Sequence, residues 1–217
     1  MHAGFPCFYP QLQEVVKLGA NSRDDSGELP IILDKVGGRL LASGMAVLVK
    51  LGFGALLRNG LLDEKQSIKA REFFEENFVI TDPQAPGGKR YYQGKFLIRT
   101  LKREDDMNVY LKFCPDPDDL YCKTPFGEAL NPFAVVSTET LSEKVAEQIE
   151  NDPHKVDLVI NFKDVESILG LIGREEVDIV GLLLENLVQL KGNVGHLFKL
   201  GAIGSNIELE LGLRKPH

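Results

Sequence analysis

The residues that most often carry chemistry are few and scattered in this sequence. Its three cysteines form no CxxC pair, and its four histidines have no metal-ligand spacing. An odd cysteine count without such a pair argues against a disulfide framework or a cysteine-rich zinc site. Cys114 and Cys122 are interpreted as ordinary thiols of an intracellular protein, with a redox pair or half a metal site as the alternative. The lone His196 is expected to be exposed or hydrogen-bonded rather than catalytic, and no metal or cofactor is predicted.

Motifs of known catalytic machinery are missing from the sequence. It contains no GxSxG, HExxH, P-loop or GxGxxG motif. An enzyme acting on an acyl or sulfate ester would need a positioned nucleophile or an acid–base set. The sequence therefore predicts a protein without catalysis of its own, and an enzyme or enzyme subunit is the least favoured alternative.

The charged residues are unevenly distributed. The chain has 217 residues and a net charge of −7, but ten basic residues and no acid fall within Lys35–Leu62 and Lys89–Arg103. The second segment also contains Tyr91, Tyr92 and Phe96, and interleaved basic and aromatic residues can bind nucleic acid. A strand with one solvated face explains this alternation more simply. No nucleic-acid partner is predicted, whereas an anionic membrane surface is compatible with two basic segments.

The overall composition is that of an ordinary globular protein. Hydrophobic residues make up 43% of the chain and charged residues 26%, which excludes disorder over its whole length. The first residues lack a charged region followed by an apolar region, so no secretion signal is predicted. The expected location is the cytoplasm, with peripheral membrane association as an addition to it.

The N-terminal part of the chain is predicted to consist of two segments. Residues 1–28 are predicted to be irregular, and residues 29–90 to form a helical extension that packs on the main domain. Within it, Arg39–Asn59 is predicted to be a helix with a wide apolar face and one narrow polar stripe. Two interpretations stay open: a buried core helix, or a helix at a membrane interface. In the second, the membrane-facing basic residues are Arg39, Lys50 and Arg58.

The middle of the chain alternates between strand and loop patterns. Gly94–Leu101 and Met107–Phe113 are predicted to form a β-hairpin, because apolar and polar residues alternate in the second of them. The prolines and acids of residues 114–132 indicate a loop. Phe133–Ser137 is then predicted to be a strand, and Thr138–Asn151 a helix with Ser142 as its N-cap.

The last third of the chain is more regular. The patterns predict a strand beginning at Val156 and a helix capped by Asp164. Three further elements are predicted between this helix and a terminal strand. These are a helix at about Glu175–Leu184, a strand at Leu187–Lys191 and a helix at Val194–Leu200. Gly201 and Gly204 are expected to stop the last helix, and alternation from Ile207 to Leu213 predicts a terminal strand.

Val156–Ile203 resembles the sterol carrier protein 2 family. The similarity lies in four segments: VDLVINF, DVESILGLIG, LVQLKGN and VGHLFKLGAI. The most specific part is the turn Lys191–Gly195, followed by a helix that ends near Lys199 and Leu200. The resemblance covers about 48 residues closely, and the preceding strands fit it more loosely.

The resemblance implies an α+β fold, in which a mixed sheet of about five strands is covered by helices. Residues 91–217 would form a lipid-binding domain, with an apolar tunnel between the sheet and the C-terminal helices. Its ligand would be a sterol, a fatty acyl chain, an acyl-coenzyme A or an isoprenoid, carried or presented without catalysis. The alternative is a non-catalytic accessory module of a protein complex for lipid or quinone biosynthesis. The candidate tunnel residues are Ile168, Leu171, Ile172, Leu182, Leu183, Leu187, Leu197, Phe198 and Leu200.

Overall fold

The computed structural model describes residues 38–58, 64–124, 127–170 and 179–210. The predicted irregular segment 1–28 lies outside these ranges. In chain order, the helices and strands are α1 (Gly38–Arg58), α2 (Glu64–Phe78), β1 (Val79–Thr81), β2 (Lys89–Tyr91), β3 (Lys95–Thr100), β4 (Asn108–Phe113), β5 (Tyr121–Thr124), β6 (Gly127–Leu130), α3 (Pro132–Val135), β7 (Val136–Thr140), α4 (Glu143–Glu150), β8 (Leu158–Phe162), α5 (Val165–Leu169), α6 (Ile179–Leu184), β9 (Val188–Gly192) and α7 (Gly195–Glu210).

A five-stranded mixed sheet forms the centre of the described part. Its strand order is β7-β4-β3-β8-β9, with β3 and β8 parallel and the other neighbouring pairs antiparallel. The predicted hairpin is confirmed as β3 and β4, with Phe96 opposite Leu111. The chain therefore has the expected α+β class with a mixed sheet of five strands and helices. Two separate hairpins, β1–β2 and β5–β6, lie outside this sheet.

Side chains alternate along each strand, so the sheet has two different faces. Phe96 of β3 points to one face, together with its partners Leu111 and Leu158. Leu97 points to the other face, together with its partners Tyr110 and Val159. We call the face with Phe96 the aromatic face, because aromatic side chains cover it, and the face with Leu97 the α4 face, because helix α4 covers it.

The aromatic face carries the larger core. Helix α1 contributes Phe53, helix α2 contributes Phe73, Phe74 and Phe78, and helix α7 contributes Ile203. We call this cluster the aromatic core; its other buried members are Ala70, Phe96, Leu111, Phe113, Cys114, Leu120, Ala134, Val135, Val136, Leu158, Ile160, Leu182 and Val188. Burial of so many large side chains is the main favourable term in the folding of such a sheet.

Helix α1 packs several of its apolar residues on the protein itself. Ala42, Ala46 and Phe53 are buried, and the hydroxyl of Thr138 in β7 donates a hydrogen bond to the Ala46 carbonyl at 3.1 Å. Lys50, at the edge of this buried stripe, is exposed. This arrangement favours the core-helix interpretation, because these residues of α1 are already covered by the protein. Within the described ranges, no helix combines the length and apolar character needed to cross a bilayer.

The α4 face is smaller and contains a buried charge. Helix α4 covers Leu97, Tyr110 and Val159 with Ala146 and Ile149. On the same face lies the guanidinium of Arg99, whose side chain is 7% exposed. It pairs with Glu143 and, at 2.6 Å, with Glu150. The two acids begin and end α4, so one arginine fixes both ends of the helix to the sheet.

The predicted strand Phe133–Ser137 and helix Thr138–Asn151 are wrong in their boundaries. The chain forms the short helix α3 first, then strand β7, and only then helix α4. Asn131 caps α3 by accepting a hydrogen bond from the Phe133 N–H at 3.2 Å, and Pro132 suits a first helical turn. Ser142 does occupy the N-cap position of α4, as predicted, but its side chain makes no capping hydrogen bond.

The predicted terminal strand is also wrong for Ile207–Glu210, which belong to helix α7, and its last residues, 211–213, lie outside the described ranges. Gly201 and Gly204 lie inside this helix and do not end it. Ile203 is 1% exposed, and Ile207, four residues later, packs on the same core. Tertiary contacts at helical spacing therefore outweigh the alternation that predicted a strand.

Replacing Gly201 with alanine is expected to raise the free energy of unfolding by about 0.5–1 kcal/mol, because alanine is the better helix residue. No atom lies within 4 Å of the added methyl group. Urea unfolding followed by circular dichroism measures the change. Gly192→Ala is the comparison: its φ is +117° and its Cβ would lie 2.3 Å from the Asp157 carbonyl oxygen. That variant is expected to lose more than about 1 kcal/mol. A destabilised Gly201→Ala protein would contradict the helix through this position.

Candidate functional site

Helix α7 lies across the aromatic core and is held by a polar contact near each end. Near its start, the Tyr92 hydroxyl lies 2.7 Å from His196 Nδ1. Near its end, Asn206 Nδ2 donates to Asn77 Oδ1 of α2 at 2.9 Å. Leu197, Leu200, Ile203 and Ile207 of α7 contact the core, and among the α7 side chains whose burial is described only Ile203 is fully buried. Helix α7 thus covers the core with apolar contacts along its length and one hydrogen bond near each end.

The contact near the start of α7 is a small polar cluster, which we define as Tyr92, His196 and Lys199. The Tyr92 and His196 rings stack with centroids 5.6 Å apart, and Phe96 meets the histidine edge-on at 6.0 Å. Burial, with a contribution from the Asp157 charge, raises the pKa of Tyr92 to about 12. A phenol that keeps its proton can donate to Nδ1, and in that arrangement the ring proton of His196 lies on Nε2.

Lys199 completes the polar cluster from the next turn of α7. Its Nζ lies 5.9 Å from the centroid of the Tyr92 ring, within reach of a cation–π interaction. Burial lowers the pKa of Lys199 from its ordinary value. Among the described residues, no carboxylate lies within ion-pair distance of this ammonium. The cluster therefore carries a partly desolvated positive charge at the edge of an apolar core.

The predicted tunnel residues fall into four groups. Four of them join the aromatic core, either buried or partly buried: Leu182, Leu187, Leu197 and Leu200. Ile168 is buried in α5 but is not among the residues of that core. Leu183 and Phe198 are exposed, Phe198 to 72%. Leu171 and Ile172 lie outside the described residues. The structure thus brings the first group together in the aromatic core, through α6, α7 and the segment before β9.

Several of the described basic side chains in the two segments are not free to bind a membrane. Arg39 pairs with Asp106 at 3.1 Å, whereas Lys50 is exposed and has no ion pair within the described ranges. Arg58 ends α1, and its side chain is not among those described. Helix α1 covers the aromatic face, whereas Arg99 of the second segment lies on the α4 face. Since Arg99 is buried and Arg39 is already paired, these side chains give no support to a joint membrane-binding surface.

Most basic side chains of the second segment already have partners in the chain. Arg90 lies 3.3 Å from Asp82, and Arg103 lies 2.6 Å from Glu147. The Lys95 ammonium donates to the His154 carbonyl at 3.0 Å. The local excess of positive charge in the sequence is therefore largely neutralised by acids from elsewhere in the chain.

The two described cysteines lie apart from the polar cluster, in different parts of the fold. Cys114 is buried in the aromatic core, and burial raises the pKa of its thiol to about 12. Cys122 in β5 is partly buried, and both thiols are free. In the part of the chain that is described, no three histidine, cysteine or acidic residues come together as metal ligands.

Tyr92 and Lys199 were missed by sequence reasoning as members of a site. In the sequence, Tyr92 stands out only as an aromatic residue of the basic segment Lys89–Arg103. Lys199 stands out only within the resemblance to the sterol carrier protein 2 family. His196 is hydrogen-bonded, as expected. The spacing of three residues between His196 and Lys199 was the available signal, since it places both on one face of a helix.

Comparison of the chain with protein-family models, with curated proteins and with solved structures gives no match. The resemblance to the sterol carrier protein 2 family therefore stays a prediction from the sequence.

Proposed function

We propose that this protein binds a lipid with a long apolar chain between helix α7 and the aromatic core. The observation that carries the proposal is the incomplete burial of α7. Leu197, Leu200 and Ile207 are only partly buried although they pack on an apolar core, and Phe198 beside them is 72% exposed. An apolar ligand that covers such side chains gains about 0.8 kcal/mol for each buried CH₂ group. The resemblance to the sterol carrier protein 2 family supports the same function.

The attachment of α7 suits a cover that admits a ligand. One hydrogen bond joins it to Tyr92 and another to Asn77, and each contributes about 0.5–1.5 kcal/mol to stability, beside the stacking of His196 on Tyr92. Opening one end of the helix therefore costs little compared with the burial of a long acyl chain. The ligand would be carried or presented rather than transformed.

The polar cluster gives little support to catalysis. Tyr92 and His196 form a hydroxyl–imidazole pair of the kind that can activate a nucleophile. An activated phenol needs a lowered pKa, whereas burial raises the pKa of Tyr92 to about 12. The proposed role of the cluster is therefore to bind rather than to react.

Delipidated protein is expected to bind hexadecanol or hexadecanoate at one site, measured by isothermal titration calorimetry. Leu200→Asp should weaken this binding at least about tenfold, because a carboxylate in an apolar site loses its hydration. Leu101→Asp is the matched control, since Leu101 is 46% exposed on the turn after β3. Circular dichroism checks that both variants fold. The proposal fails if the parent protein binds neither lipid, or if both variants bind as the parent does.

An accessory role in a lipid or quinone biosynthesis complex is the alternative. It is favoured by Phe133, which is 82% exposed on the short helix α3. Large exposed aromatic side chains are typical anchors of protein interfaces. Phe133→Ser should then leave lipid binding unchanged but abolish co-purification of a defined partner from the native host.

A further inference from the structure

The polar cluster has two hydrogen-bond donors on one face of α7. His196 and Lys199 are three residues apart, so their side chains project from adjacent turns on the same side. Both contact Tyr92, which ties them to the segment before β3. When the Tyr92 hydroxyl donates to Nδ1, Nε2–H of His196 is left as a donor, and the Lys199 ammonium supplies up to three more.

Among the described residues, none balances the positive charge of Lys199 with an ion pair. Besides Tyr92, the described groups that face the cluster include the apolar rings of Phe96 and Phe113 and, at longer range, the carboxylate of Asp157. That carboxylate already accepts a hydrogen bond from the Lys95 N–H at 2.8 Å. Within the described part of the chain, Lys199 has no ion-pair partner, yet it is partly buried. A cation that has lost water without gaining an anion favours the binding of one.

We infer that His196 Nε2 and Lys199 Nζ bind the carboxylate head of a fatty acid whose chain lies along the apolar side chains of α7. This inference rests on the proposed function, because it names the class of lipid that the same site selects. A carboxylate has two oxygens, so it can accept from both donors at once. A neutral hydroxyl head would leave the positive charge of Lys199 unpaired.

The chain offers a matched control for Lys199. Lys112 in β4 also lies over a tyrosine ring, with its Nζ 5.1 Å from the centroid of Tyr110. It differs in its partner and its place, since it pairs with Glu139 at 2.8 Å and Tyr110 lies on the α4 face. Lys112→Gln therefore removes a similar charge and a similar ring contact without touching the polar cluster.

The test compares hexadecanoate with hexadecanol, which share one chain and differ in the charge of the head. The parent protein should prefer hexadecanoate. Lys199→Gln should weaken hexadecanoate binding about ten- to a hundredfold, the size of a lost charge-assisted hydrogen bond. It should change hexadecanol binding less than about twofold, because an apolar chain and a neutral head do not use the charge. His196→Gln should show the same selective loss, and Lys112→Gln should change neither affinity.

Hexadecanol binding also reports whether each variant folds, so a selective loss cannot come from unfolding. Equal affinity of the parent for the two lipids would overturn this inference while leaving the proposed function in place. An equal loss for both lipids in Lys199→Gln would overturn it as well. If the parent binds neither lipid, the proposed function itself fails.

Discussion

Replacing Arg99 with methionine is expected to lower the free energy of unfolding by about 3–5 kcal/mol, the cost of breaking a buried ion pair from one side. Its guanidinium is 7% exposed and pairs with Glu143 and Glu150 at the two ends of α4. Without it, two carboxylates lie close to an apolar face with reduced access to water. Glu143 keeps only the Asn108 amide at 3.1 Å and the more distant Arg103, and Glu150 keeps Lys191 at 3.6 Å. Urea unfolding measures the loss.

Two further variants distinguish the destabilisation caused by unpaired buried charge from that caused by lost packing. Arg99→Met combined with Glu143→Gln and Glu150→Gln should recover much of the stability, because no unpaired carboxylate then remains. Arg90→Met removes an exposed pair, with Arg90 61% exposed, and should cost less than about 1 kcal/mol. Similar losses for Arg99→Met and Arg90→Met would contradict this account of the α4 face.

Phe113→Ala is expected to cost about 3–5 kcal/mol, as other phenylalanine deletions in cores do. Phe113 is 1% exposed and lies among the rings of Phe53, Phe78, Tyr92 and Phe96, with centroids 5.4–6.2 Å away. These rings come from α1, α2, the segment before β3 and β3 itself. The cavity would therefore loosen the packing of two helices on the sheet. Thermal or urea unfolding followed by circular dichroism measures the change.

Phe113→Leu is the companion variant, since it keeps an apolar side chain with most of the volume. Its cost should stay below about 1.5 kcal/mol if the surrounding rings can repack. A cost for Phe113→Ala no larger than that of Phe113→Leu would show that Phe113 does not support the aromatic core as described.

Much of the sheet could be predicted from the sequence because its strands have strong local patterns. The alternation in Met107–Phe113 predicted β4, and Asp164 was recognised as the cap of α5, where it accepts from the Ser167 N–H at 2.8 Å. The hairpin β5–β6 was missed because prolines and acids around it indicated a loop. Its Tyr121 packs against Phe74 of α2, and no local pattern shows that contact.

The end of α7 and the candidate site illustrate what a sequence pattern leaves out. Ile207–Glu210 alternates as a strand does, yet Ile203, Ile207 and the Asn206–Asn77 hydrogen bond keep it helical. The polar cluster joins Tyr92 to residues more than a hundred positions later. Only the folded chain shows that a histidine and a lysine of α7 lie against that tyrosine.

The parallel pairing of β3 with β8 also has a consequence for how the chain folds. Strands β3 and β4 are joined by a short turn and can pair early, whereas Phe96 and its partner Leu158 are 62 residues apart. Closing so long a loop costs entropy before the contacts that stabilise it are made, which slows folding. Until β8 pairs, Phe96 lacks its partner Leu158 and β3 has an unpaired edge. Such exposed apolar surface and unpaired strand edges make a partly folded chain prone to aggregate.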